Sequence, residues 1–308
     1  MKSKLYNKKI IILIGGPTAS GKSSLANNLA EELDGEIINA DSMQVYKNFP
    51  ILTSQPSETD RKKIKHYLYG YFDTNKSCNG SIWLKDSYCY VEKIFSKRKV
   101  PIVVGGTGLY LEFMSEGISL IPNISEKTKN KLATLRYNEG LKSLYSMLEK
   151  VDLEYAKKIS INDKTRILRA LEVFYETGKN ISFYHSKKKY SKNYNFYKIF
   201  LSPSKEQVAK NATIRLKKMI ERGLLEEFNK NKKNVRNCNI SKAIGFQELN
   251  DYYEKKKTMS HLSNDIISST KKYAKRQITW FNNRYKPQIK IDSYKKKSLI
   301  LESLSKII

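Results

Sequence analysis

Gly16, Gly21, Lys22 and Ser23 stand at the spacing G-x-x-x-x-G-K-[ST] within GGPTASGKSS, residues 15–24. A loop of this kind aims consecutive backbone N–H groups at one point, adds a lysine charge and ends on a hydroxyl, a combination that cradles a run of phosphates. Lys22 is the residue to carry charge to a β-phosphate, and the Ser23 hydroxyl is the usual contact for Mg2+. The loop alone does not say whose phosphates they are. ATP, GTP or the diphosphate of another small molecule suits the same N–H groups.

Three other places carry groups able to do chemistry. Asp41 closes the run GEIINAD, where α/β sheets bind ligands at the carboxyl ends of their strands. From there a carboxylate can ligate a metal or accept a proton from a substrate N–H or O–H. Gly105 and Gly106 let the backbone approach a ligand closely, and Thr107 adds a small hydroxyl at the same edge. Arg215 has the planar fork that clamps a diphosphate, although a helix arginine more commonly stands in solvent. A nucleotide kinase would place a second aspartate at the end of a neighbouring apolar strand; here the third such run ends in GGTG. His66, His185 and His261 are scattered and receive no role. Cys78, Cys89 and Cys238 show neither C-x-x-C nor paired histidine spacing, which supports no zinc site and no disulfide framework and reads as ordinary reduced, intracellular cysteine.

The elements that must position these groups are legible as apolar runs. KIIILIGG, GEIINAD, VPIVVGG, NFYKIFLS and PQIKID read as five strands, and the first three are apolar on both faces, as in a parallel sheet covered by helices. The pattern predicts a doubly wound α/β core. Leu25, Leu29 and Leu33 recur every four residues, so the phosphate loop leads into a helix. About eighty residues between VVGGTGLY and NFYKIFLS read as helical throughout, too long for one crossover, and are expected to form an inserted helical domain. Within it NDKTRILRALEVFYETG begins on a cap at Asn162 or Asp163, turns Ile167, Leu168, Leu171, Phe174 and Tyr175 to one side, and stops at Gly178. Arg166 and Arg169 share another face. HSKKKYSKNYN, which follows, reads as a lysine-rich loop. In NATIRLKKMIERG, Ala212, Leu216, Met219 and Ile220 point inward. The last long helix repeats Lys271 with Lys275, and Lys272 with Arg276, as a basic face.

With 308 residues and a formal net charge of +28, the chain can build one large or two modest domains and suits a polyanionic partner such as nucleic acid. A plain compositional bias toward Lys, Asn, Ile and Tyr accounts for the charge equally well, and residues 118–195 are about as basic as the rest. No apolar stretch approaches bilayer length, and MKSKLYNKK runs directly into a strand without an apolar signal core, so a cytoplasmic protein with no membrane partner is expected.

GPTASGKS, INADSMQVY, PIVVGGTGLYL, INDKTRILRALEVFYETG, RLKKMIERG, KAIGFQEL and YAKRQITWF occur in the order, and at about the spacing, of bacterial tRNA dimethylallyltransferases. The chain resembles that family from residue 10 to about residue 292. The family moves a dimethylallyl group from its diphosphate to N6 of the adenosine just 3′ of the anticodon. The resemblance implies a P-loop NTPase-like, doubly wound core over 1–117 and 196–308, with a helical insertion at 118–195 that contacts tRNA. It implies dimethylallyl diphosphate as co-substrate, Mg2+ as cofactor, the tRNA anticodon stem-loop as partner, and a monomer. Gly16, Pro17, Thr18, Ala19, Ser20, Gly21, Lys22 and Ser23 would hold the diphosphate, with Ser23 on Mg2+. Asp41, Thr107 and Arg215 would be catalytic: Asp41 orients or deprotonates the amino group, Thr107 holds its place, and Arg215 neutralises the leaving diphosphate.

The same resemblance assigns tRNA contacts to several stretches. Asp41, Ser42, Met43, Gln44 and Thr107 would meet the RNA at the sheet edge, and Lys129, Thr165, Arg166, Ile167, Leu168 and Arg169 in the insertion. Lys242, Ala243, Ile244, Gly245, Phe246 and Gln247 would follow, with Lys275 and Arg276 on the last long helix. Three places depart from the family pattern. ILTSQP stands for IGTAKP, and His66-Tyr67 for a histidine pair, both flanking the site; Gly245-Phe246-Gln247 stands for Gly-Tyr and a basic residue. The last removes a hydroxyl and a charge from an expected RNA contact. Two other classes fit parts of the pattern, an ATP-dependent small-molecule or nucleotide kinase and a tRNA-binding protein with an inactive phosphate loop. The GGTGLY turn speaks against the first, and intact Lys22, Ser23 and Asp41 against the second.

Overall fold

Branched aliphatic runs too apolar to face water on either side form the middle of a parallel sheet. In the structure, a computed structural model that describes residues 1–187, 189–235 and 238–307, these are β1 (Ile10–Gly15), β2 (Gly35–Asn39) and β4 (Val100–Gly105), buried along their whole length. With β3 (His66–Tyr67), β5 (Asn195–Leu201) and β6 (Ile289–Ile291) they make a six-stranded sheet in the order β3-β2-β4-β1-β5-β6, all pairs parallel. This is the α/β, doubly wound architecture that the alternating pattern predicts, with five of its six strands where the apolar runs lie. The sixth, β3, is two residues long and carries no periodic signal.

The chain divides into two compact units, Met1–Ser115 with Asn193–Ile308, and Glu116–Lys192. In the first, the helix Lys22–Leu33 buries Leu25, Leu29 and Leu33 against Ile10, Ile12 and Ile14 of β1. Each such side chain contributes about 1.5–3 kcal/mol of hydrophobic stabilisation. A short helix, Lys2–Asn7, precedes β1 and buries Leu5, so the N-terminal segment does not run straight into a strand. Its pattern offers a single apolar anchor, too little for a periodicity to register.

The second unit packs Leu132, Leu144 and Leu148 of the helix Glu126–Val151 against Ile167, Leu171 and Val173 of the helix Lys164–Thr177. Asp163 caps the latter through its side chain, and Gly178 ends it in the left-handed conformation at φ 71°. The buried stripe is Ile167, Ala170, Leu171 and Val173, whereas Tyr175 is exposed. The expected inward position of Tyr175 is therefore corrected: the amphipathic face is rotated toward small and branched residues. The unit is also not helical throughout, because Ile118 and Tyr190 form an antiparallel bridge and Gly140 interrupts the long helix. The expected loop at 185–195 begins inside the helix Ile181–Ser186, and Lys188 lies outside the described residues.

Candidate active site

The phosphate loop turns from the end of β1 into the helix that starts at Lys22. Gly21 stands there at φ 93°, a conformation that a Cβ strains, and no side chain caps the helix start. The first N–H groups of the helix therefore face the loop's concavity, a ready anion site. Lys22 Nζ donates to the Pro17 carbonyl and lies 3.4 Å from Ser20 Oγ. Burial lowers the Lys22 pKa to about 7; Asp41 opposes that shift and Arg215 adds to it. The lysine is thus a cation poorly supported until an anion arrives.

Asp41 follows β2 and is fixed through its backbone. Buried Asn39 accepts the Asp41 N–H at 2.9 Å and donates to the Asp41 and Leu68 carbonyls at 3.0 Å each. Asp41 Oδ1 accepts the Met43 N–H at 2.9 Å, while among the described residues no hydrogen bond reaches Oδ2. Thr107 Oγ1 accepts the Ser42 N–H at 2.9 Å and donates to Ser42 Oγ at 3.2 Å; its own N–H reaches the Ala40 carbonyl at 3.2 Å. Gly105 makes this approach possible, because a Cβ there would run into the Ala40 backbone.

Arg215 comes from the helix Lys205–Glu221, where it leaves the buried stripe Val208, Ala212, Leu216 and Met219. Its Nε donates to Ser54 Oγ at 2.8 Å and its Nη1 to Thr18 Oγ1 at 2.7 Å. Burial pushes its pKa down and Asp41 pulls it back up; a guanidinium remains charged regardless. Ser54 belongs to a segment held from two sides. Glu227 accepts the N–H groups of Ile51 and Leu52 at 2.8 Å each, and Gln44 Nε2 donates to the Thr53 and Ser54 carbonyls at 2.9 Å each.

These groups line one cavity of about 470 Å3, whose wall includes Thr18 to Ser24, Asp41 to Gln44, Gly105, Gly106 and Arg215. Leu52, Thr53, Ser54, Tyr69, Val104, Lys242, Ala243, Ile244, Tyr273 and Arg276 complete it. Its charged lining is Lys22, Arg215, Lys242 and Arg276 against Asp41 alone, an anion site with one candidate proton acceptor. Ser23 is exposed on its wall. Among the described residues no group of three or more His, Cys, Asp or Glu is placed to hold a metal ion, and no helix is long and apolar enough to cross a membrane.

Of the residues singled out from sequence, Gly16 and Pro17 shape the loop behind the cavity, and Thr18 has its N–H accepted by Gln277 Oε1 at 2.8 Å. Thr107 stands beside the cavity through Ser42. Gln44 supports the 51–54 segment, as described. Two residues expected at RNA contacts have buried side chains. Phe246 is buried with its ring centroid 5.8 Å from Phe49 and 5.0 Å from Phe228, and Ile167 is fully buried in the second unit. Their side chains serve the cores, and replacing a tyrosine by Phe246 suits that interior. Tyr67, expected to flank the site, instead donates to Glu36 at 2.7 Å and accepts from Lys97 at 3.0 Å. Lys275, Arg276, Lys242 and Gln247 are exposed in the first unit, and Gly245 is buried. Lys129, Thr165 and Arg166 are exposed in the second unit, with Leu168 and Arg169 half-buried. Arg276 lies 5.4 Å from the Tyr273 ring. Asn39, Ser54, Glu227 and Gln277 were not singled out. Only the polar residue ending an apolar run, Asn39, left a signal that could have marked it.

A model of the family described as IPP transferase matches residues 44–284. The chain is 39% identical over 290 residues to the tRNA dimethylallyltransferase of Pelagibacter ubique, covering 92% of each chain. It is similar in structure to the tRNA delta(2)-isopentenylpyrophosphate transferase of Staphylococcus epidermidis, at a TM-score of 0.68 and 29% identity over 98% of this chain and 100% of that one. A eukaryotic dimethylallyltransferase solved acting on tRNA superposes at a TM-score of 0.75 with 29% identity, over 89% of this chain and 70% of that one.

Proposed function

The chain belongs to the IPP transferase family, and from that membership we infer that it acts as a tRNA dimethylallyltransferase. It transfers the dimethylallyl group of dimethylallyl diphosphate to N6 of the adenosine just 3′ of the tRNA anticodon, giving N6-isopentenyladenosine and releasing diphosphate. The loop after β1 thus serves an isoprenoid donor.

The adenine amino group is a weak nucleophile because its lone pair is delocalised into the ring. In the transfer, N6 forms a bond to C1 of the donor, the C1–O bond breaks, and its electron pair leaves with the diphosphate. Asp41 takes the proton released from N6. Lys22, Arg215 and the N–H groups of residues 19–23 meet the charge that develops on the departing oxygen. Thr107 holds the Asp41–Ser42 turn. Ser23, exposed on the cavity wall, would offer its hydroxyl to Mg2+, which would offset charge on the leaving group. The base must leave its stack to enter a cavity of this size, as RNA readers require of single-stranded loops. Exposed Lys242, Gln247, Lys275 and Arg276, with Lys129, Thr165, Arg166 and Arg169 of the second unit, supply the contacts to the anticodon stem-loop of a monomeric, cytoplasmic enzyme.

The observation that carries this reading is the single carboxylate, Asp41, sharing one cavity with Lys22 and Arg215. Asp41→Asn keeps the shape and the oxygen that accepts the Met43 N–H while removing the proton acceptor. Single-turnover transfer at saturating donor and tRNA should fall about 10²–10⁴-fold, the range for a general base, with both affinities little changed. A near-normal rate would remove Asp41 from that role.

A further inference from the structure

The long helix Met259–Arg284 sends one buried polar side chain, Gln277, between two loops of the site. Its Oε1 accepts the Thr18 N–H at 2.8 Å and its Nε2 donates to the Gly106 carbonyl at 2.8 Å. Gly106 has to be glycine for this approach, because a Cβ would meet Gln277 Nε2. The two ends of one amide therefore hold two parts of the machinery that lie far apart in sequence. Thr18 belongs to the phosphate loop and receives Arg215 on its hydroxyl. Gly106 precedes Thr107, which accepts the N–H of Ser42, the neighbour of Asp41. An apolar side chain of the same size would leave a part-buried N–H and a buried carbonyl without these partners.

We propose that Gln277 is a positioning residue for the transfer: its amide fixes the phosphate loop against the Asp41–Thr107 turn, and so sets the leaving diphosphate in register with the group that takes the N6 proton. The proposal rests on the transferase reading and adds a residue to it. Gln277 touches neither donor nor base in this role. Its effect is confined to geometry, where misplacement by about an ångström costs roughly 10²-fold in rate.

The test compares wild type, Gln277→Met and Gln277→Glu in single-turnover transfer from dimethylallyl diphosphate to unmodified tRNA, beside the affinity of each for donor and tRNA. Both variants should keep those affinities within about threefold and lose about 10²-fold in rate at saturation. Gln277→Glu adds a signature that simple packing does not produce. Its carboxylate still accepts from Thr18 but cannot donate to Gly106, whereas its protonated form can do both. Its rate relative to wild type should therefore recover as pH falls. A rate within about threefold of wild type in either folded variant, a Glu-to-wild-type ratio flat with pH, or a rate loss matched by lost binding would each overturn the role. If the methionine variant does not fold, the pH ratio of Gln277→Glu decides. Absence of transfer by the wild type is a different result and rejects the transferase reading itself.

Discussion

Lys22 has a charge that its buried surroundings support poorly, and this makes donor binding a protonic event. Burial holds its pKa at about 7 against an ordinary value of 10.5, and a diphosphate placed against the ammonium raises it again. Between those two values the free enzyme carries less proton than the complex, so binding takes up a proton and donor affinity falls as pH rises above about 7. Below that the lysine is already charged and the uptake disappears. Titration calorimetry of dimethylallyl diphosphate in buffers of different ionisation enthalpy should show uptake approaching one proton at about pH 8.5, where the donor itself is fully ionised. Heats independent of the buffer at that pH would contradict the buried-lysine account. At this scale Lys22 and Ser23 were legible because loop chemistry fixes their spacing, and Asp41 because it closes an apolar run at the end of a strand. Asn39, Ser54 and Gln277 were not, because each acts through hydrogen bonds to atoms distant in sequence, and no local pattern encodes a partner 161 or 259 residues away.

The segment that carries Ser54 is a run of hydrogen-bonded turns, closed by its own backbone and also held from outside. Glu227, on the helix Leu224–Asn231, accepts the N–H groups of Ile51 and Leu52 in a half-buried place. Burial raises its pKa, and the two N–H groups partly offset that rise by favouring the carboxylate. Glu227→Ala strands both donors, so urea unfolding should show a loss of about 1–3 kcal/mol. Transfer should also weaken, since Ser54 then no longer holds Arg215 toward Thr18. Unchanged stability would mean that water replaces the carboxylate fully. Strands β1, β2 and β4 were readable because burial on both faces makes them near-continuous apolar runs, broken only by Glu36 and Asn39 in β2, and β5 and β6 because each still carries a short apolar run. The two-residue β3 and the helix Lys2–Asn7 were too short to carry a period. In the helix Lys164–Thr177 the ends were readable from Asp163 and Gly178 and so was part of the buried face, Ile167 and Leu171, whereas Ala170 and Val173 are buried where Tyr175 was expected.

For the molecule as a whole, the net charge of +28 admits any polyanion, and charge alone never distinguished an RNA enzyme from a basic proteome. The fold narrows the choice by placing the cationic cavity at the carboxyl ends of β1, β2 and β4, with one carboxylate inside it. The end of β4 carries Gly105 and Gly106 in place of a second aspartate, which separates this site from a phosphoryl-transfer centre. The unit Glu116–Lys192 overlaps the stretch 118–195 that length marks as an expected insertion, and its bridge between Ile118 and Tyr190 was not legible, since two lone residues give no strand signal. The most direct measurement supplies the wild-type protein with dimethylallyl diphosphate labelled in the dimethylallyl group, ATP, Mg2+ and unmodified tRNA, then digests the tRNA to nucleosides and follows both diphosphate and ADP. The account predicts label on N6 of the adenosine just 3′ of the anticodon, one diphosphate released for each group transferred, and no ATP turnover coupled to it; ADP formation with unlabelled tRNA would contradict it.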